Sequence, residues 1–178
     1  MESFFFEPVD LACRNGRSVT IRAIAPSDEA VLLAAFERLG PQARYWRFMR
    51  AMGEPDRKRL RAALASIAER GLAIAAVGDE GIVGTSMFVR DVDPSHCEFA
   101  ISVIDAWAGT GLGSAMLRML VEAARVRGIR EIEGIVLAGN EAMLRLARRM
   151  GFTVTRHPDD FGLCLCRLSL APATEPAG

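Results

Sequence analysis

The stretch WAGTGLGSAML, residues 107–117, sets glycines at 109, 111 and 113 directly before an amphipathic run. Leu112, Met116, Met119, Leu120 and Ala123 share one face of that run and Arg118, Glu122 and Arg125 the other, which predicts a helix over 111–127. Immediately upstream, HCEFAISVID (96–105) alternates as a strand. A chain that runs strand, glycine turn, helix presents the unpartnered N–H groups and the positive dipole end of that helix at the turn. Without Cβ atoms at three positions, an anion has access to the backbone N–H groups of Gly109, Thr110, Gly111, Leu112, Gly113 and Ser114. The plainer reading is a tight strand-to-helix connection. The turn is not a Walker loop, since no Gly-Lys-Ser/Thr follows. Nor is it a dinucleotide fingerprint, because the segments before it read as antiparallel strands.

The remaining periodicities frame this unit. SVTIRAI (18–24) predicts a strand, APSDEAVLLAAFERLG (25–40) a helix closed by Gly40-Pro41, and QARYWRFMRAM (42–52) a second helix. EPDRKRLRAALASIAER (54–70) predicts a third, whose basic cluster at Arg57, Lys58, Arg59 and Arg61 reads first as a solvated face. LAIAAVG (72–78) and GIVGTSMFVRD (81–91) are separated by a short turn and predict a hairpin. After the 111–127 helix come a strand at 131–137, a helix at 140–150 stopped by Gly151, and two closing strands, FTVTRH and FGLCLCRLSL. The order predicts one α/β (α+β) domain over residues 18–170, with a mixed, mostly antiparallel sheet of about seven strands flanked by helices. Residues 1–17 read as a loosely docked N-terminal arm, and 171–178 as a flexible tail.

Composition narrows the function. Among 178 residues, 22 Lys and Arg balance 22 Asp and Glu, and no long basic run occurs, so nucleic acid is not expected as a partner. No apolar stretch is long enough to span a bilayer. Glu2 stands where a signal peptide carries basic residues, so a cytoplasmic location is expected. Cys13, Cys97, Cys164 and Cys166 lack CxxC spacing and are accompanied by only two histidines, so no metal site is expected and reduced cysteines are. Oligomeric state is left open.

On the strand before the turn, Cys97, Phe99, Ile101 and Val103 fall on one face and His96, Glu98, Ala100 and Ser102 on the other. Small residues beside a carboxylate leave room for a thin ligand. A carboxylate there must be paired or hydrogen-bonded, and Glu98 reads either as a structural partner of an arginine or as a base. His96 reads as a surface or edge residue, and Asn140 as a helix N-cap. Ser86 and Tyr45 are candidates for lining an acceptor site.

Position and motif together resemble the GNAT superfamily of acyl-CoA-dependent N-acetyltransferases. Their cofactor turn, Gln/Arg-x-x-Gly-x-Gly/Ala, is here Ala108-Gly109-Thr110-Gly111-Leu112-Gly113, and NEAMLRLARRMGF (140–152) resembles the family's Asn-initiated helix. RSVTIRAIAPSDE, LGPQARYWRF and CEFAISVIDAWAGTGLG are most similar to the acetyltransferase domain of bacterial Pat-type protein lysine acetyltransferases. The resemblance implies acetyl-CoA as cosubstrate, its pyrophosphate on residues 109–114, the N–H of Val103 near the thioester oxygen, and Asn140 against the pantetheine arm. It also implies Glu98 as general base and a protein lysine ε-amine as acceptor. A small-molecule amine, or a noncatalytic acyl-CoA-binding role, are the alternatives. Two family positions differ: the Gln/Arg is Ala108, and the tyrosine that protonates the thiolate in many members aligns with Ala147. The acceptor side is expected to be an open groove bordered by residues 39–53 and 72–91, with Arg44, Arg47 and Arg50 toward acidic residues of the target.

Overall fold

A computed structural model describes residues 6–50 and 53–170; the C-terminal tail and the first two phenylalanines of the N-terminal cluster lie outside the described residues. The elements are β1 (Val9–Ala12), β2 (Ser18–Ala23), α1 (Glu29–Arg38), α2 (Pro41–Phe48), α3 (Arg57–Arg70), β3 (Gly71–Gly78) and β4 (Gly81–Arg90). There follow β5 (His96–Val103), α4 (Leu112–Val126), β6 (Glu131–Leu137), α5 (Glu141–Arg149), β7 (Thr153–Arg156) and β8 (Leu163–Ser169). The described strands form one eight-stranded sheet in the order β1-β2-β3-β4-β5-β6-β8-β7. No described helix is long and apolar enough to cross a membrane.

The sheet is mixed and mostly antiparallel, as expected, with one strand more. That strand is β1, inside the segment read as a loose arm. Val9 pairs with Ile21 and Ala12 with Ser18, so the segment is the edge of the sheet, and Phe6 packs against the core. Four residues with a single leucine carry too little alternation to announce a strand; β2 supplies the template.

Strand β3 is buried along Leu72–Ala76 because helices cover both of its faces. Helix α4 lies on one face, over β3, β4 and β5, with Leu112, Met116, Leu117, Leu120 and Ala124 fully buried at helical spacing. A Cβ at Gly84 would meet the Met116 sulfur at 3.0 Å, so the glycine sets how closely α4 approaches. Helices α1 and α3 cover β3 and β4 on the opposite face, and α2 reaches β5.

All neighbouring strands run antiparallel except β5 and β6, which pair in parallel at only three positions, His96↔Glu131, Cys97↔Ile132 and Glu98↔Glu133. The next residue, Phe99, ends the ladder. Its ring sits over Gly134, where a Cβ would lie 2.5 Å from a ring carbon, and tilts against Phe152 with centroids 5.3 Å apart. Beyond this wedge of aromatic carbon the two strands part, opening the sheet toward the glycine turn.

Trp107, buried just before that turn, is tied down by a second cluster. The Glu80 carboxylate, on the β3–β4 hairpin, accepts from Trp107 Nε1 at 2.8 Å and from Arg17 Nη2 at 2.6 and 2.7 Å, while the Arg17 guanidinium lies 4.1 Å over the Trp107 ring. The Trp107 hydrogen bond, then the Arg17 hydrogen bonds, pull the Glu80 carboxyl down to about 2. A depressed carboxyl stabilises the fold above its unfolded value, and that contribution is lost as pH falls through the window from about 4.5 to about 2. Because the pair is partly open to solvent, Glu80→Gln is expected to cost only about 1 kcal/mol at pH 7, a fall in Tm of about 2–4 °C. Thermal melts should show this difference shrinking toward zero at the acid end of the window.

Candidate active site

The parting of β5 and β6 makes a cleft of about 500 Å³. Its walls are the β5 edge from Glu98 to Val103, the opposing Ile135 and Val136 of β6, the glycine turn, and the first turns of α4 and α5. Glu98, Val103, Gly109, Gly111, Gly113, Ser114 and Asn140 all line it, so most of the sequence-predicted site residues meet in one place. Two turn inward instead. Thr110 is buried and donates from Oγ1 to the Trp107 carbonyl at 2.8 Å, and Leu112 is a fully buried core residue. The Leu112 N–H points to the same Thr110 Oγ1, at 3.4 Å.

Hydrogen-bond alternation shows what the parted strand offers. Ile104 donates its N–H to the Val83 carbonyl at 2.9 Å, which makes Val103↔Gly84 a non-hydrogen-bonded pair of the β4–β5 ladder. The N–H groups of Val103 and Ile101 therefore point away from β4, into the cleft, beyond the last β6 pairing. Ser102 lies on the other side of the alternation, and its hydroxyl meets that of Thr85 at 3.0 Å. At the turn, Gly109 and Gly111 adopt φ of +73° and +90°, conformations that disfavour side chains, and a Cβ at Gly109 would face open space. Asn140 caps α5, its Oδ1 accepting from Met143 N–H at 3.1 Å.

Charge in the cleft is one-sided although the chain is neutral. Among the described residues Arg14, Arg47, Arg145 and Arg149 line it against a single carboxylate, Glu98. A thin cleft with inward N–H groups, a glycine turn at a helix start and four arginines suits a long ligand that ends in phosphates. Arg14, Arg145 and Arg149 escaped the sequence reading. For Arg145 and Arg149 the signal was present: both sit on the 140–150 helix, seven and three positions before the Phe152 that closes the GF motif, and one helical turn apart.

Glu98 stands at the mouth, its carboxylate open to solvent. The cleft walls still shed part of its hydration, and this, with the neighbouring charges of Glu133 and Asp91, raises its pKa; Arg47 opposes the rise. Arg47, on α2, is itself pulled down by burial and pulled back up by Glu98. Among the described residues Glu98 makes no side-chain hydrogen bond or salt bridge, whereas Glu133 beside it takes the Arg167 Nε at 2.9 Å. His96 sits at the start of β5, an interior strand of the sheet, with Asp93, Nδ1 to Oδ2 at 2.9 Å, outside the cleft.

Several acceptor-side expectations change. Arg44 is an internal brace: Nε, Nη1 and Nη2 donate to the carbonyls of Leu39, Gly53 and Glu37 at 2.8, 3.0 and 2.9 Å, and the guanidinium stacks over Phe36. Ser86 is on the α4 side of β4, between Gly84 and Phe88 and opposite Ile74 and Ile101, its hydroxyl buried without a hydrogen-bond partner among the described residues; the residue borders the cavity between α1, α3 and the sheet and not the cleft. Tyr45 is exposed on α2 outside the cleft lining, whereas its neighbours Trp46 and Met49 belong to it. Ala147 is a fully buried methyl and Ala108 a wall of the cleft; neither offers a donor. On the opposite face a second cavity of about 410 Å³, largely apolar, opens between α1, α3 and the sheet and meets the cleft at Arg47 and Ser102.

The turn generates a direct test. Gly111→Val forces φ near +90° on a branched residue and sends its Cβ toward Arg14 Nε, 3.5 Å away. The variant is expected to fold with a lowered Tm and to bind acetyl-CoA at least about tenfold more weakly by calorimetry, a loss of about 1.4 kcal/mol.

Comparison with known proteins agrees with this geometry. The model of the acetyltransferase (GNAT) domain matches residues 18–153. Acetyltransferase PA5475 of Pseudomonas aeruginosa is 29% identical over 160 residues, covering 88% of this chain and 86% of that protein. Acetyltransferase Pat of Mycolicibacterium smegmatis is 27% identical over 175 residues, 94% of this chain but 50% of the relative, which is about twice as long. Among solved structures, the GNAT domain of S. lividans PAT superposes with a TM-score of 0.84 at 23% identity, covering 92% and 97% of the two chains. The Salmonella typhimurium yncA structure with its cofactor acetyl-CoA superposes with a TM-score of 0.67 at 24% identity, covering 89% and 98%. Fold, cleft and family match converge: the chain belongs to the GNAT acetyltransferase family and is an acetyl-CoA-dependent N-acetyltransferase.

Proposed function

We propose that the chain acetylates a lysine ε-amine presented on another protein, with Glu98 as general base. The observation that carries this reading is the surface beside Glu98. Helix α2, whose Arg47 faces that carboxylate, exposes Tyr45, Trp46 and Met49 at 43%, 36% and 37% of their surface. An exposed aromatic and methionine cluster at the lip of an open cleft is the surface chemistry of protein contact. The similarity of nearly the whole chain to Pat supports the same acceptor class.

In this reading acetyl-CoA supplies an activated thioester carbonyl, and the chain's own groups do the rest. The N–H groups of residues 109–114 and the start of α4 hold the pyrophosphate. Ile101 and Val103 donate from the parted edge of β5, and the N–H of Val103 serves the thioester oxygen as negative charge gathers there. A lysine ammonium has a pKa of about 10.4 and must lose a proton to attack. Glu98 takes that proton at the mouth, and its raised pKa brings it nearer to the amine's and makes it a better base. Ala147 supplies no acid, so water protonates the departing thiolate.

The apolar cavity on the opposite face favours a second reading. Lined by Leu32, Phe36, Phe48, Leu64 and Thr85, and joined to the cleft at Arg47 and Ser102, it suits a small amine with an apolar body. A kcat/KM panel separates the two: faster turnover of folded protein lysines than of free lysine or hydrophobic monoamines supports the first, and the reverse order the second.

Two further outcomes test the base. Glu98→Gln is expected to lower kcat about 10²-fold or more while leaving acetyl-CoA affinity within about twofold by calorimetry. Activity requires the carboxylate form, so the rate falls as pH drops through a pKa raised above the ordinary glutamate range. Arg47→Gln removes the opposing positive charge, and its acid limb is expected to move to still higher pH. An acid limb at the ordinary carboxylate value, unmoved in Arg47→Gln, would place the base elsewhere.

A further inference from the structure

A cation beside Gly111 of the glycine turn comes from the edge hairpin of the sheet. Residues 13–17 form the tight β1–β2 turn, with Cys13 N–H donating to the Arg17 carbonyl at 2.8 Å, Gly16 N–H to the Cys13 carbonyl at 3.0 Å, and Gly16 at φ +78°. Cys13 is buried, which anchors the turn against the core. From this anchor Arg14 donates its backbone N–H to the Thr110 carbonyl at 3.0 Å, a bond between the amino-terminal turn and the middle of the glycine turn. Its side chain then lies across Gly111: a Cβ there would be 3.5, 3.8 and 3.9 Å from Arg14 Nε, Cγ and Cδ.

The two arginines of this turn are treated differently. Arg17 is consumed by Glu80 and Trp107. Arg14 is exposed, lines the cleft, and its guanidinium has no hydrogen-bond or ion-pair partner among the described residues. The turn itself offers backbone N–H groups and the Ser114 hydroxyl but no cation, because Ala108 carries a methyl and the Thr110 hydroxyl points inward to Trp107. An anion seated on the turn thus meets fixed dipoles from below and one unpaired, main-chain-anchored guanidinium from above.

We propose that Arg14 clamps the phosphate group seated on the glycine turn, so that the edge strand β1 and its turn are part of the cofactor site. The proposal rests on the reading of this cleft as the acetyl-CoA site. A guanidinium forks onto two phosphate oxygens, a geometry that lysine's single ammonium does not reproduce. The glycine at 111 has two functions here: it accepts the positive φ and leaves the space through which the arginine reaches across.

Calorimetry on wild type, Arg14→Ala and Arg14→Lys tests it, with acetyl-CoA and with S-acetylpantetheine, which has the same arm and no pyrophosphate. Arg14→Ala is expected to bind acetyl-CoA about tenfold or more weakly, with Arg14→Lys between it and wild type. The preference for acetyl-CoA over S-acetylpantetheine falls by a similar factor, and acetyl-CoA binding becomes less sensitive to added salt. Melting temperature checks that the main-chain bond to Thr110 survives. Equal losses on both ligands with an unchanged salt response would show that Arg14 only shapes the cleft, and an affinity within twofold of wild type would also overturn the clamp. A wild type that binds no acetyl-CoA overturns the site reading as well, so the two failures are distinct.

Discussion

Three residue pairs hold β5 to β6, and everything specific to the site follows from the ladder stopping there. A sheet that continued pairing would spend the N–H groups of Ile101 and Val103 on β6. The Phe99 ring, admitted by the missing Cβ at Gly134, fills the notch in which the strands separate. Past that point β5 keeps β4 on one side and turns the N–H groups of Ile101 and Val103, which have no strand partner among the described residues, to the other. The cost of unpaired backbone is met by solvent, and by the cosubstrate when it binds. The glycine turn lies at the open end of the same gap, so strand donors and helix-start donors face one continuous channel.

Electrostatics then divides the channel. Arginines from four separate places, the β1–β2 turn, α2 and two turns of α5, gather around it in a chain of zero formal net charge. Glu98, the one carboxylate lining the channel among the described residues, stands at the mouth, and its proton affinity is raised by partial desolvation and by Glu133 and Asp91. In the proposed reading, phosphate binding on the glycine turn is thereby kept apart from proton removal at Glu98, beside Arg47. The Glu80 cluster serves this division indirectly: by fixing Trp107 to the β3–β4 hairpin and to Arg17, it holds the chain that enters the turn.

Local patterns carried much of this into the sequence. Strict alternation over 96–103 separated the Phe99–Val103 face from the Glu98–Ser102 face, and register confirms it: Val103 pairs with Gly84 under α4, Ser102 with Thr85 on the other side. The hairpin between β3 and β4, the amphipathic α4 and the Asn140 cap were equally local. What escaped depends on partners distant in sequence. β1 exists because β2 is there to pair with it, and Arg14 is next to Gly111 only after the sheet has brought residues 14 and 110 together. Arg44 looked like a free cation because carbonyls that occupy it are invisible in a sequence. Gly134 was the one missed signal of general form, since an isolated glycine inside a β-branched strand marks a close approach.

Amide hydrogen exchange with and without acetyl-CoA tests most directly whether the cosubstrate binds the parted edge of β5. The amides of Ile101 and Val103, and those of residues 109–114, are predicted to exchange readily in the free protein and to become protected on binding, while that of Ser102, turned toward β4, changes little. Protection confined to the cavity between α1 and α3, with Ile101 and Val103 unchanged, would contradict it.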